Sequence, residues 1–246
     1  MKAMVLAAGL GTRLRPLTDD RPKALVEIAG RTLLEITLAR LRLFGVNDVI
    51  VNVHHFADKI IEYLKANKNF GMRIEISRED VLLDTGGGLK KAAWFFLGGA
   101  TDEPFLLHNV DVISTVDLGL MVRSHDSHHA LATLAVQKRE SSRQLLFNED
   151  GELCGRRAGR DREPEIVSGG THFEPLAFTG IHVLSPRLLR NLTEDGAFSI
   201  IDTYLRLARA GERIQAFRAD EYYWRDLGKP ENIQQASLEI AENRIF

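Results

Sequence analysis

Residues 3–28 read AMVLAAGLGTRLRPLTDDRPKALVEI, and the rest of the chain is arranged around them. The segment opens with an apolar run, residues 3–8, of the length and character of a buried strand. The run breaks at Gly9 and Gly11, where the backbone gains dihedral freedom and can approach a ligand closely. Arg13, Arg15 and Lys23 follow, set apart by Pro16 and Pro22. A buried strand feeding a glycine turn and then cations makes a cradle for phosphate, because backbone N–H groups bind the oxygens while fixed cations balance the charge. Two glycines by themselves mark an ordinary turn as readily. Two common loop patterns are excluded. The Gly-x4-Gly-Lys-Ser/Thr loop is missing, and the third glycine of a dinucleotide fingerprint would fall where Leu14 stands.

Strands and helices alternate beyond this segment. Leu34, Leu38, Leu41 and Phe44 are spaced for one face of a helix over 33–44, ended near Gly45. DVIVNV (48–53) is a second buried strand, Phe56, Ile60, Ile61 and Leu64 mark a second helix, and 72–76 alternates as a third strand. The glycine turn 84–88 opens a helix reaching residue 96, and 105–107 is a fourth strand ending in His108-Asn109-Val110-Asp111. This βα alternation predicts an α/β fold with a parallel sheet covered by helices on both faces. Ligands of such sheets bind beyond the carboxyl ends of the strands, so Gly9–Arg13, His54-His55, 84–88 and Asp111 are expected on one rim. The second half is less regular. Residues 130–137 and 144–147 read as strands able to form a hairpin, and 155–165 (GRRAGRDREPE) as a mobile charged loop. Residues 177–184, 213–217 and 221–225 read as extended, and 200–210 and 230–244 as helices, the last with Pro near its start.

The bulk numbers narrow the function. The chain has 246 residues, 44% hydrophobic and 27% charged, enough for a sizeable core. A formal net charge of -2 argues against nucleic acid as a partner, since such proteins carry a basic excess. The lone Cys154 allows no internal disulfide, which fits a reducing compartment. No apolar run approaches the roughly 20 residues of a membrane-spanning helix, and the start of the chain lacks the form of a signal peptide. The expectation is a soluble cytoplasmic protein without a membrane partner, a monomer or small homo-oligomer. The eight histidines fit no His-x3-His zinc pattern and are read as structural or solvent-facing, except that His108 falls near Asp111. Asp111 and Asp226, far apart in sequence, could share a Mg²⁺ with phosphate oxygens, although isolated Asp residues are common at turns.

The longer strings carry a resemblance. Gly9-Leu10-Gly11-Thr12-Arg13-Leu14-Arg15-Pro16-Leu17-Thr18, then Pro22-Lys23-Ala24-Leu25-Val26 and Gly30, closely resemble the signature of the sugar-phosphate nucleotidyltransferases. Trp224, Asp226, Gly228 and Pro230 match that family's Trp-x-Asp-x-Gly-x-Pro element. Asn109 and Asp111 match its Asn-Gly-Asp element, with Val110 in place of glycine. The resemblance implies a Rossmann-like three-layer sandwich with a mostly parallel mixed sheet, one domain over 1–246. About 1–125 would be its nucleotide-binding half and about 126–246 its sugar-binding half. It implies transfer of a nucleoside monophosphate from a nucleoside triphosphate to a sugar 1-phosphate, with release of pyrophosphate and with Mg²⁺ held by Asp111 and Asp226. Arg13 and Lys23 inherit the phosphate-holding, catalytic roles. Leu6, Ala8, Gly9, Gly11, Thr12, Thr85, Gly86, Gly87, Asn109, Thr179 and Gly180 inherit substrate contacts, the 84–88 turn lying beside the base and Thr179-Gly180 lining the sugar pocket. Glu174 is a further candidate for the sugar hydroxyls, and Asp117 is read either as part of the site or as a helix cap. The absence of a hexapeptide pattern after residue 226 removes the β-helix acyltransferase domain of some relatives. This short form looks most like the N-acetylmuramate 1-phosphate uridylyltransferases, which favours UTP. Guanylyl transfer to a heptose or mannose 1-phosphate, and a non-catalytic regulatory subunit that binds nucleotide sugars, are the alternatives.

Overall fold

Alternate residues of the first strand, β1 (Lys2–Leu6), enter two separate cores: Ala3 and Val5 one, Met4 and Leu6 the other. That division organises the computed structural model, which describes residues 1–98, 102–159, 162–169 and 172–242. In chain order the elements are a ribbon of β2 (Glu27–Ile28) and β3 (Arg31–Thr32), α1 (Leu33–Leu43), β4 (Asp48–Val53), α2 (Ala57–Ala66), β5 (Arg73–Arg78), α3 (Asp84–Lys91) and α4 (Ala93–Leu97). Then come β6 (Phe105–Asn109), β7 (Val112–Ser114), α5 (Leu118–Ser127), β8 (Ala132–Gln137), β9 (Arg143–Phe147), β10 (Leu153–Ala158), β11 (Glu165–Ile166) and β12 (Glu174–Leu184). The chain continues through α6 (Pro186–Arg190), α7 (Ile200–Arg209), β13 (Ile214–Arg218), β14 (Trp224–Asp226) and α8 (Pro230–Ala241).

The main sheet runs β11-β10-β9-β12-β6-β1-β4-β5, with β8 and β13 branching from β12. Its first-half strands, β6-β1-β4-β5, are all parallel, and the second half adds antiparallel strands through β12. Residues from α1, α2, α5 and α8 bury against one face, and residues from α3, α4, α6 and α7 against the other. The result is a sheet covered by helices on both faces, as the alternating pattern predicts, and the Rossmann-like three-layer sandwich that the resemblance implies. Residues such as Val49, Val51, Leu106 and Ile50 are wholly buried, each worth about 1.5–3 kcal/mol of apolar transfer. Among the described residues no helix is long and apolar enough to cross a membrane.

Three expectations change. Residues 130–137 and 144–147 form no hairpin: β9 pairs with β10 and β12, while β8 pairs with β12 and β13. The helix read from the 84–88 turn to residue 96 is two, broken at Ala92. The charged 155–165 stretch is partly strand. β10 pairs with β11, Arg156 is bound by Glu165 and by Asp202 of α7, and Gly155 lies so close to Glu165 O that a Cβ would stand 2.2 Å from it. Residues 160–161 of that stretch, and 243–244 of the expected last helix, lie outside the described residues.

Three histidines are buried in these layers, and for His108 and His125 burial outweighs the opposing charge of Asp111 and of Asp126. Burial holds His108 and His125 down to about 4 and His182 to about 3. His125 Nδ1 lies 3.0 Å from Thr133 Oγ1, and His182 Nδ1 lies 2.7 Å from Tyr204 Oη. All three stay neutral in the fold, whereas the unfolded chain protonates them below about 6.5. Stability is therefore full above pH 6.5 and falls as pH drops toward 4, by about 1.4 kcal/mol per pH unit for each histidine. Thermal unfolding followed between pH 7.5 and 5 should show a steady fall in Tm; a flat profile would refute neutral burial.

Candidate functional site

Two cavities open side by side along the carboxyl edge of β1 and β6, and they share Asn109 and Asp111. The first, about 600 Å³, is lined by the 6–14 loop, Lys23, Asn52, Leu82, Asp84, Thr85, Val110 and Gly228. The second, about 550 Å³, is lined by Arg139, Arg143, Arg156, Phe178, Thr179, Gly180, Trp224 and Asp226, among others.

The glycine loop is fixed by short-range chemistry. Gly11 has φ 67°, and a Cβ there would stand 3.0 Å from Thr18 Cγ2 and 3.2 Å from Lys23 Cβ. Glycine is thus required both for the turn and for the approach of Lys23. Thr18 Oγ1 donates to Gly11 O at 2.8 Å and ties the loop back on itself. Gly9 has no such constraint: its φ is ordinary and nothing stands within 4 Å of its missing side chain, so it opens the cavity wall instead of bending the chain. Arg15 is exposed and pairs with Asp19, outside both cavities.

Lys23 is buried in a short turn after Pro22, and its Nζ forms an ion pair with Asp111 Oδ2. Asp111 and Asp226 are joined by strand pairing: β14 lies antiparallel to β7, Asp226 faces Val112, and Leu227 N–H donates to Asp111 O at 2.8 Å. Asp226 Oδ1 accepts from Gly228 N–H at 2.5 Å. A Cβ on Gly228 would stand 2.7 Å from both Arg13 Nη2 and Asp226 Oδ1, so glycine is what lets that arginine and that carboxylate flank one point. β14 is held by α8: Arg225 Nη2 donates to Glu239 Oε1 at 2.7 Å, and Asn232 Nδ2 to Asp226 O at 2.6 Å. Val110 fits where the family pattern has glycine. It is not among the residues of positive φ, its N–H donates to Leu6 O at 3.1 Å, and its side chain is buried in the core.

The second cavity has its own floor. Arg139 stacks on Trp224 with its Cζ 3.7 Å from the ring centroid, and it donates to Phe178 O at 3.0 Å. Burial pulls its pKa down, and nearby Asp226 opposes that. Trp224 Nε1 donates to Thr179 O at 2.7 Å, while Thr179 Oγ1 is occupied by Ala135 O. Gly180, at φ 85°, sits in an irregularity of β12 where a Cβ would stand 2.7 Å from Asn109 Nδ2.

Leu6, Ala8, Gly9, Gly11, Thr12, Arg13, Lys23, Thr85, Asn109 and Asp111 thus line the first cavity, and Thr179, Gly180 and Asp226 the second. Gly86 and Gly87 do not line either. A Cβ on Gly86 would stand 2.2 Å from the Phe198 ring, and one on Gly87 would stand 2.4 Å from Gly196 O, so they let α3 pack on the 196–198 loop. Thr85 lines the cavity but its Oγ1 accepts from Ile200 N–H, at the start of α7. Glu174 is bound to Arg218 away from the site, and Asp117 caps α5 through Leu120 N–H. His54-His55 reach neither cavity, and His108 is sealed beneath them.

Sequence reading missed Arg139 and Arg143 of the second cavity and, in the first, Asn52. Its Oδ1 accepts from Ala7 N–H and its Nδ2 donates to buried Glu79, each at 2.7 Å, and Glu79 Oε2 accepts from Leu83 N–H. This bridge fastens the glycine loop to the 79–83 turn. A polar residue inside the otherwise apolar strand DVIVNV was the available signal.

A cationic loop and two strand-end aspartates thus lie where the two cavities meet. The chain belongs to the nucleotidyl transferase family, whose model matches residues 2–145. It is 36% identical to the N-acetylmuramate alpha-1-phosphate uridylyltransferase of Caulobacter vibrioides over 98% of this chain and 97% of that protein. It is 29% identical to a UTP–glucose-1-phosphate uridylyltransferase of Synechocystis, covering 64% of that longer protein. Among solved structures, HddC from Yersinia pseudotuberculosis complexed with GMP-PN superimposes with a TM-score of 0.75 at 22% identity, over 97% of this chain and 99% of that one.

Proposed function

We propose that this chain, acting as one domain in the cytoplasm, transfers a uridylyl group from UTP to N-acetylmuramate 1-phosphate. The carrying observation is the junction of the two cavities at Asn109 and Asp111, with Asp226 fixed beside them. UTP fills the first cavity and the sugar 1-phosphate the second. A phosphate oxygen of the sugar 1-phosphate attacks the α-phosphorus, the bond from that phosphorus to the bridging oxygen breaks, and pyrophosphate leaves. The attacking oxygen is already anionic near neutral pH, so no general base is needed. Arg13 and Lys23 hold the triphosphate in line and offset charge on the transferring group.

Asp111 and Asp226, which line one cavity, fit Mg²⁺, commonly held by one or two carboxylates together with substrate phosphates. No group of three or more His, Cys, Asp or Glu that could hold a metal occurs among the described residues. When bound, Mg²⁺ supplies charge stabilisation on the phosphoryl oxygens.

The charge of the second cavity supports an acidic sugar. Arg156 is neutralised by Glu165 and Asp202, whereas the Arg143 guanidinium has no hydrogen bond or ion pair to another described residue, only its backbone binding Ser141. On β9 it shares a face with Leu145, whose pairing partner is Arg156. Arg143 is thus a cation on the cavity wall beyond those given to phosphate, suited to the carboxylate of a muramate; Arg139 and Arg157 line the same cavity. Arg143→Gln should lower kcat/KM for N-acetylmuramate 1-phosphate about tenfold, the worth of a charge-assisted hydrogen bond. N-Acetylglucosamine 1-phosphate should be little affected. An equal loss on both sugars would remove Arg143 from carboxylate recognition. The direct test of the reaction is pyrophosphate release with Mg²⁺ from a panel of nucleoside triphosphates crossed with sugar 1-phosphates; silence across the panel would overturn the assignment.

A further inference from the structure

Each carboxylate assigned to the metal has a cation assigned to phosphate beside it. Lys23 is ion-paired with Asp111, and Arg13 stands across Gly228 from Asp226. The Lys23 side chain is only 10% exposed and that of Asp111 only 23%, so water screens the pair poorly. Lys23 is also held in place from behind, its Cβ being one of the atoms that a side chain on Gly11 would meet. An ammonium so placed occupies one acceptor site of the carboxylate, and it repels a divalent cation at close range. A triphosphate entering the first cavity offers Lys23 another anion. Leaving Asp111 for the triphosphate would free the carboxylate for the metal.

We propose that Lys23 is an internal counter-ion of Asp111 that is exchanged on ligand binding. The exchange rests on the metal and phosphate roles given above to Asp111, Asp226, Lys23 and Arg13. Its consequence is coupling: the divalent cation and the nucleoside triphosphate each bind poorly alone and well together. By linkage each raises the affinity of the other by the same factor.

The test is Mn²⁺ binding without nucleotide, read by electron paramagnetic resonance or calorimetry on the intact protein. Lys23→Met keeps the bulk of the side chain and removes its charge; Lys23→Gln serves as a second neutral variant. Both should bind Mn²⁺ at least about tenfold more tightly than the wild type, as expected when a cation at contact distance is removed. Adding Asp111→Asn to either variant should abolish the gain. A non-hydrolysable nucleoside triphosphate should raise Mn²⁺ affinity more in the wild type than in the variants. Affinity that is unchanged or weaker in both neutral variants would overturn the exchange, as would a gain that survives Asp111→Asn. The catalytic reading fails separately: a gain that depends on Asp111, in a protein releasing no pyrophosphate from any substrate pair, would keep the exchange and discard the transferase.

Discussion

Asp226→Asn is expected to lower kcat for pyrophosphate release by about 10³-fold or more, close to 4 kcal/mol of transition-state stabilisation. The substitution is nearly isosteric. An asparagine Oδ1 can still accept from Gly228 N–H, and the backbone of β14 stays pinned by Leu227 N–H to Asp111 O and by Asn232 to Asp226 O. What is lost is the negative charge that would hold Mg²⁺ against the triphosphate, so raising the Mg²⁺ concentration should recover only part of the rate. Circular dichroism and Tm should stay close to wild type, because the side chain faces a cavity and not the core. Steady-state kinetics at several Mg²⁺ concentrations decide the matter. A kcat within threefold of wild type would remove Asp226 from the metal site.

Lys23→Ala should cost 30- to 1,000-fold in kcat/KM, about 2–4 kcal/mol, the range for a lost charge donor to a transferring group. The cation is placed by its surroundings: Pro22 in extended conformation, buried Ala24, and the missing side chain of Gly11. Part of the loss should appear in kcat, because charge on the transferring phosphoryl changes between ground and transition state. Removing Lys23 leaves Asp111 without its partner, but that carboxylate borders both cavities, where water can solvate it. The fold should therefore survive, with a Tm shift of a few degrees. Unchanged kcat/KM for both substrates would make Lys23 a purely structural counter-ion.

Much of this was legible in the residues. The run at 3–8, the 3.6-residue spacing of Leu34, Leu38 and Leu41, and DVIVNV gave the alternation of the first half, because a parallel βα unit writes its burial into local period. The motifs around Gly11, Lys23, Asp111 and Asp226 gave candidates that do converge on one edge of the sheet. The second half was harder. β12 pairs with three different strands, and its partners cannot be read from its own composition. The charge of 155–165 suggested a free loop, yet Arg156 meets Asp202, a residue 46 positions away that shares no local pattern with it. The triple glycine 86–88 gave the same signal whether a base or a neighbouring loop filled the space over it, and at Gly86 and Gly87 it is Phe198 and Gly196 that do.

The sequence by itself determined the layer architecture, the glycine loop with its cations and the two aspartates, since each rests on residue type and short spacing. Only the tertiary structure decided that Lys23 binds Asp111, that Gly228 lets Arg13 and Asp226 flank one point, and that Asn52 and Glu79 lock the loop. Those contacts join residues 27 to more than 200 positions apart. Their geometry depends on strand order and register, which no local stretch of chain contains.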